Sequence, residues 1–282
     1  MKDLDLNREI AFVTGASSGF GFSTSLALAE AGYFVIASMR DLRKKERLLE
    51  VAAEKSVADY IECVELDVTK GDAVDSVIAS VTERFGRIDV LVNNAGFAAG
   101  GFSEEVPMAK WREQFETNFF GLVAVTKAVL PSMREQGNGT IINMSSIGGR
   151  SALPGLGPYQ ASKFAVEGFS ETLRLEMLPY GVRVVLVEPG SFKTDIWGKG
   201  VGDVNLAADS PYKEKTERLM KIVGRIAETA DDPDKVARLV VRIVQTEEPD
   251  LRYPIGKGVK ASLRMRDLLP WKWVERAIIK RM

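Results

Sequence analysis

Ile10-Ala11-Phe12-Val13-Thr14-Gly15-Ala16-Ser17-Ser18-Gly19-Phe20-Gly21 begins as an unbroken apolar run and ends as a glycine-punctuated turn. A short apolar run without polar alternation reads as a strand covered on both faces. Phe22 to Ala31 then reads as a helix, and Gly32 supplies the residue that commonly ends one. Strand, glycine turn and helix in that order form the setting in which such a turn holds a dinucleotide. Gly15 permits the tight turn, Gly19 lets backbone approach a pyrophosphate, and Gly21 lets the helix pack closely on the strand. The amides at the helix start then face the phosphates.

Outward from this unit the same alternation continues. Strands are expected at Tyr33 to Met39, Tyr60 to Leu66, Ile88 to Val92, Thr140 to Met144, Val182 to Val187 and Arg252 to Ile255. Between them lie helical stretches: Leu42 to Glu54, a segment with a capping-box-like start at Thr69 and Asp72 that runs to Phe85, Met108 to Leu130, Tyr159 to about Leu178, and Asp234 to Gln245. Alternation of this kind predicts an α/β fold, a doubly wound parallel sheet of about seven strands with helices on both faces. Right-handed crossovers bring the strand C-terminal ends to one rim, which collects Gly15, Asp67 and Asn94. Small residues in Asn93-Asn94-Ala95-Gly96 let a flat cofactor pass close to backbone there. One domain is expected over 1–255, with a lid-like segment at 192–229 and a basic helical extension at 256–282.

Composition narrows the function classes. With 282 residues, 45% of them hydrophobic, the chain builds one sizeable core. A net charge of −1 gives no global electrostatic case for nucleic acid. Cys63 is the single cysteine, so no intramolecular disulfide forms, and it reads as a buried inert thiol in a reducing compartment. No metal site is expected, and without histidine the usual proton-transfer residue is unavailable. The acidic, polar start is unlike a signal peptide, and no apolar run reaches the ~20 residues that span a bilayer. A cytoplasmic protein is the expectation.

Two stretches carry chemistry. Tyr159 and Lys163, four residues apart, share a helix face, so an ammonium lies beside a phenol. A fixed positive charge favours the phenolate and lowers the phenol pKa toward neutrality, as acid–base catalysis needs. The second stretch is the end of the second strand, where an acidic side chain would bond a ribose 2′-hydroxyl and an arginine would accommodate a 2′-phosphate. That end reads Met39-Arg40-Asp41, with Asp41 better placed as a cap of the following helix, so NADP(H) is favoured over NAD(H).

Taken together, Thr14-Gly15-x-x-x-Gly19-x-Gly21, Asp67-Val68, Asn93-Asn94-Ala95-Gly96, Asn118, Ser146, Tyr159-x-x-x-Lys163 and Pro189-Gly190 with Thr194 resemble the short-chain dehydrogenase/reductase family, in its shorter single-domain branch. The likeness runs over roughly residues 8 to 195. It implies a catalytic tetrad of Asn118, Ser146, Tyr159 and Lys163. Tyr159 exchanges the proton with the substrate oxygen, and Lys163 lowers its pKa and holds the nicotinamide ribose. Ser146 orients the substrate oxygen, and Asn118 bends its helix and holds a water that links Lys163 to solvent. The loop residues Gly15, Ser17, Ser18, Gly19, Phe20 and Gly21 would hold the pyrophosphate end. Asp67 and Val68 would face the adenine, and Asn94, Ala95 and Gly96 would line the cofactor. Pro189, Gly190 and Thr194 would hold the nicotinamide end. Arg40 matches the NADP-preferring branch, with Ser18 rather than a basic residue before Gly19. Assembly as a homodimer or homotetramer through the helices carrying Asn118 and Tyr159 is also implied.

The substrate-side stretches are Phe97 to Phe102, Arg150 to Pro158 and Phe192 to about Thr229, with Phe97, Leu156, Trp197 and Tyr212 as wall residues and Ser146 at the oxygen. Their apolar character favours a small hydrophobic ketone, aldehyde or secondary alcohol; Arg150 reads as a solvated rim residue. The tail from Gly256 carries eight basic and two acidic residues, a net +6, with Trp271 and Trp273 interleaved. It reads as a helix packed over the cleft or on a neighbouring subunit, with membrane-surface contact as the alternative. Rival functions are an NAD-dependent alcohol-, steroid- or retinol-type dehydrogenase, an epimerase or dehydratase of the longer branch, and a dinucleotide-sensing protein without turnover.

Overall fold

The computed structural model describes residues 8–194, 209–228 and 230–281, so Trp197 and the part of the lid-like segment at 195–208 lie outside the described residues. Strands are β1 (Ile10–Val13), β2 (Phe34–Met39), β3 (Ile61–Glu65), β4 (Val90–Asn93), β5 (Gly139–Met144), β6 (Val182–Pro189) and β7 (Arg252–Ile255). Helices are α1 (Gly19–Glu30), α2 (Lys45–Glu54), α3 (Gly71–Phe85), α4 (Met108–Phe115), α5 (Gly121–Gln136), α6 (Gly157–Met177), α7 (Lys213–Glu228), α8 (Asp234–Val244), α9 (Val259–Leu268) and α10 (Trp271–Arg281).

The strands form one seven-stranded sheet in the order β3-β2-β1-β4-β5-β6-β7, every pairing parallel. Each strand's pleat sends alternate residues to opposite faces, and both faces are covered. Ala11, Val13, Val35, Ala37, Ile142 and Val185 meet α1, α2 and α8. Phe12, Ile36, Leu91, Ile141 and Val184 meet α3, α5 and α6. This is why β1, β2, β4 and β5 are buried along their whole length and read as apolar runs. The order reverses between β1 and β4, and ligands of open parallel sheets bind at such a reversal.

Three expected elements differ. The stretch read as one helix from Met108 to Leu130 is α4, a π-turn at Glu116–Phe120 and α5, which passes Pro131 and ends at Gly137 in the left-handed region. A π-turn inserts one residue into the hydrogen-bond ladder, and Asn118 sits inside it. The helix expected from Leu42 begins as a single 3-10 turn, Leu42–Lys44, capped by Asp41. The capping box at Thr69 and Asp72 does not form. Thr69 instead donates its backbone N (3.0 Å) and hydroxyl (2.8 Å) to Asp67, and the helix starts at Gly71. An aspartate bonding two residues onward competes with a cap.

At the other end of the chain, α9 is seated by buried Val259 and Leu263, with Val259 against Gly190 at the end of β6. Trp271 and Trp273 on α10 are 58% and 62% exposed. Among the described residues no helix is long and apolar enough to cross a membrane.

Candidate active site

The rim begins where β1 runs into α1. Gly15 is in the left-handed region (φ +68°), and a Cβ there would lie 2.8 Å from the Ala95 Cα. A Cβ on Gly21 would lie 2.4 Å from both the Gly15 carbonyl oxygen and Asn94 Nδ2. Both positions therefore need glycine. The turn is held from the β4 end. Asn94 Nδ2 donates to the carbonyls of Thr14 (2.9 Å) and Gly15 (3.1 Å), and Thr14 Oγ1 accepts the backbone N–H groups of Asn94 (2.9 Å) and Ala95 (3.0 Å). Asn94 thus acts on the rim as a brace of the turn, with Thr14 as its partner. Ser18, at the N-cap position of α1, makes no side-chain cap bond, so it does not occupy the first-turn amides. A turn stripped of Cβ atoms beneath an uncapped helix start fits the pyrophosphate of a dinucleotide.

Beyond Ser17 opens a cavity of about 640 Å³ lined by Arg40, Asp41, Arg43, Lys44 and Glu65. Asp41 is tied to Arg43, which donates Nε to it at 2.8 Å and holds its carboxyl below the usual carboxylate range. Arg40 is exposed. Of the other expected cofactor residues, Val68 packs on Gly121, Phe20 meets Phe192 edge to face at 5.4 Å, and Thr194 lies beside Gly19.

The second half of the rim is polar and buried. Tyr159 and Lys163 lie on the inward face of α6, and Ser146 leads the 3-10 turn that follows β5. Ser146 hydrogen-bonds Tyr159, accepts from the Gly148 N–H at 3.0 Å and donates to the Pro189 carbonyl at 3.5 Å. Lys163 donates Nζ to the Met144 carbonyl at 2.7 Å and lies 5.9 Å from the Tyr159 ring centre. Burial lowers the Lys163 ammonium to about 8, although Glu167 one turn onward favours its charge. Burial also raises the Tyr159 phenol, with the Ser146 bond pulling the other way. The neighbouring ammonium is expected to lower the phenol, and the structure corrects this: burial is the largest cause and the net shift is upward. Asn118 accepts the Phe97 N–H (3.0 Å), donates to the Phe97 carbonyl (2.9 Å) and reaches Ser162 Oγ at 3.4 Å.

Among the residues expected to face substrate, Leu156 is buried at the start of α6 and pairs with Gly101, while the Phe97 ring lies under Lys110 Nζ. Tyr212 stacks on Phe102 at 4.5 Å, and Leu219 of α7 lies against Gly155. Arg150 corrects the sequence reading, since it is no solvated rim residue. It pairs with Glu188 (3.6 Å) and Asp267 (2.6 Å) and is only 25% exposed. A fully buried carboxylate needs a counter-charge, and Arg150 supplies one. Burial, with Glu167 nearby, pushes the Glu188 carboxyl up to about 7 against the pull of Arg150 and Arg252.

Sequence reasoning passed over Thr14, Gln114, Glu167 and Glu188. Gln114 holds the loop after β4, accepting the Ala99 N–H (2.6 Å) and donating to the Phe97 carbonyl (2.8 Å). Thr14 stands inside the quoted motif, so the signal was present there. For Glu167 the signal was its place one turn beyond Lys163.

The model of the family described as short chain dehydrogenase matches residues 9–203. An uncharacterized oxidoreductase of Bacillus subtilis, YusZ, is 45% identical over 280 residues, covering 98% of this chain and 99% of that protein. A 3-ketodihydrosphingosine reductase of Bacteroides thetaiotaomicron is 36% identical, covering 89% of each. A short-chain dehydrogenase/reductase of Burkholderia phymatum in complex with NAD superposes with TM-score 0.80 at 25% identity, over 94% of each chain. An actinorhodin polyketide ketoreductase variant with NADPH superposes with TM-score 0.77 at 30% identity, over 90% of this chain and 98% of that one.

Gly21→Ala places a methyl against the Gly15 carbonyl and the Asn94 amide, so the turn must open. Dinucleotide affinity should fall at least about tenfold, a loss of ~1.4 kcal/mol, with secondary structure retained. Fluorescence titration checks this, and unchanged affinity would show that the turn does not hold the dinucleotide.

Proposed function

The chain belongs to the short-chain dehydrogenase/reductase family, as an oxidoreductase of that type using a nicotinamide dinucleotide, and from that premise we propose that it transfers a hydride between NADP(H) and a hydrophobic ketone, aldehyde or secondary alcohol. The observation that carries the reading is the meeting of buried Tyr159, Lys163 and Ser146, with Lys163 Nζ 5.9 Å from the Tyr159 ring centre, on the rim that also bears the glycine turn. When bound, the nicotinamide supplies or takes up the hydride.

Every other task falls to the chain. In reduction, Tyr159 gives its phenolic proton to the substrate oxygen, and in oxidation it takes that proton back. Ser146, bonded to Tyr159, donates to the same oxygen and fixes its position. Lys163 stabilises the phenolate left behind, because its ammonium is buried and one turn away. Asn118 fixes Phe97 at the mouth of the cleft, and its π-turn gives the bend between α4 and α5. The glycine turn and the α1 start would hold the pyrophosphate, and Asp67, Val68, Pro189, Gly190 and Thr194 would flank the two ends. A sensor without turnover would not need Tyr159 and Lys163 together.

Arg40 favours NADP(H). It is exposed at the cavity beyond Ser17, while Asp41 is occupied by Arg43. A second reading, NAD(H) use, draws on Glu65 in the same cavity. The substrate class rests on the apolar wall of Leu156, Phe102 and Tyr212, and a relative named as a 3-ketodihydrosphingosine reductase agrees with ketone reduction. For assembly, the surfaces of α4, the π-turn and α6 expose Met108, Phe120 and Phe164 at 62%, 52% and 42%. Such an apolar surface suits an isologous contact between two copies.

Three outcomes test these proposals. Tyr159→Phe should lower kcat by about 100-fold or more while NADPH affinity stays within a few-fold, measured by steady-state kinetics and titration; near-normal turnover would refute the acid–base role. Arg40→Ala should weaken NADPH binding by about tenfold and leave NADH binding unchanged, as loss of one solvent-screened charge-assisted bond predicts; an equal effect on both cofactors would favour NAD(H). Phe120→Glu with Phe164→Glu should halve the mass seen by light scattering, and an unaltered mass would place the subunit contact elsewhere.

A further inference from the structure

We propose that a chain of ion pairs centred on buried Glu188, running from α6 through Glu167, Arg252, Glu188 and Arg150 to Asp267 on α9, positions the loop that presents Ser146. It rests on the reading that Ser146 holds the substrate oxygen.

The loop of residues 145–150 is gripped at both ends. At its start, Ser145 Oγ donates to Glu167 Oε1 at 2.5 Å. At its end, Arg150 pairs with Glu188 at 3.6 Å and with Asp267 at 2.6 Å. The two grips are joined by Arg252 of β7, whose Nε meets Glu167 at 3.0 Å and Glu188 at 3.1 Å, and whose other nitrogen pairs with Glu171. Between the grips the loop lies tight on α6. A Cβ on Gly149 would meet Ser145 Oγ at 2.7 Å and both Glu167 Cγ and the Lys163 carbonyl at 3.1 Å.

Glu188 is the centre of the arrangement. It is 0% exposed, and neither of its oxygens has a hydrogen-bond partner among the described residues, so the two guanidiniums meet it as ion pairs. One guanidinium at each oxygen of one buried carboxylate ties β7 and the loop to the end of β6 by charge. Pro189 follows directly, and its carbonyl is the acceptor of Ser146 Oγ. Buried ion pairs contribute little net stability compared with apolar packing of the same volume, and their best-attested use is to specify one arrangement. The groups facing Glu188 come from every neighbouring element: Glu167 of α6, Arg150 of the loop and Arg252 of β7. Glu167, Glu188, Arg150, Arg252 and Asp267 are positioning residues, since none touches the site of hydride or proton transfer.

The test is Glu188→Gln, which keeps shape and removes the charge, read by hydrogen exchange of the 145–150 amides and by kinetics. Exchange in that segment should rise about tenfold while the melting temperature and NADPH affinity hold. With the apolar ketone that the wild type turns over fastest, kcat should fall about tenfold, and in a Ser146→Ala background the same change should add nothing. Unchanged exchange, or an equal further loss in the Ser146→Ala background, overturns the proposal. If Glu188→Gln does not fold, Asp267→Asn reads the chain from its exposed end. It should raise loop exchange about threefold, with Asp267→Glu restoring it; unaltered exchange overturns the proposal equally. Full turnover in Ser146→Ala alone would refute the role given to Ser146 and leave the exchange result standing.

Discussion

The rest of the molecule depends on how β1 and β4 are tied together where the strand order reverses. A chain leaving a buried strand into a glycine turn must satisfy its backbone groups without a ladder partner. Here the task falls to two side chains. Thr14 Oγ1 takes two N–H groups from the end of β4, and the Asn94 amide returns hydrogen bonds to two carbonyls of the turn. An unpaired buried group costs ~1–3 kcal/mol, so a small set of reciprocal bonds decides whether the turn can close. Once it closes, Gly15 and Gly21 meet β4 at distances no side chain tolerates, and α1 is aimed across the rim.

The other half of the rim is governed by desolvation. Burial acts in opposite senses on the two members of the Tyr159–Lys163 pair, raising the phenol and lowering the ammonium to about 8. The ammonium is retained by the Met144 carbonyl and by the charge of Glu167, itself held by Ser145 and Arg252. Anionic charge brought to the rim favours the ammonium further, which in turn favours the phenolate. In the proposed mechanism, proton transfer at Tyr159 is therefore tuned by Glu167, two turns along α6, and by Arg252 of β7, as well as by Lys163.

The parts legible in the sequence were those with a local signature. Apolar runs gave the strands, because both sheet faces are covered, and the glycines marked the turn because their spacing reflects close approach. Boundaries failed where two local signals competed. Pro131 reads as the end of a helix, yet α5 runs past it, and Thr69 reads as a cap although Asp67 has already taken its hydroxyl and amide. Arg150 was illegible for a different reason. Its partners stand 38 and 117 positions away, and no spacing rule within one element reports a contact made by folding. The same holds for Glu188 and Arg252, which local composition leaves looking like ordinary polar residues.

The two halves of the rim thus answer to different physics. The glycine half relies on missing side chains and neutral hydrogen bonds, so it is insensitive to pH and salt and fails by steric intrusion. The Tyr159 half relies on buried charge, so it fails by loss of a counter-charge, and its sensitivity extends to α9. Arg40 belongs to neither. It is exposed, at the edge of a cavity shared with Glu65, and screening weakens any charge contact it makes. On the proposed reading, a change at Arg40 alters which dinucleotide is preferred without disturbing the glycine turn or the network around Tyr159. On that reading, cofactor choice is the feature of this site most open to change by single substitutions, because Arg40 is exposed and lies outside both buried halves of the rim.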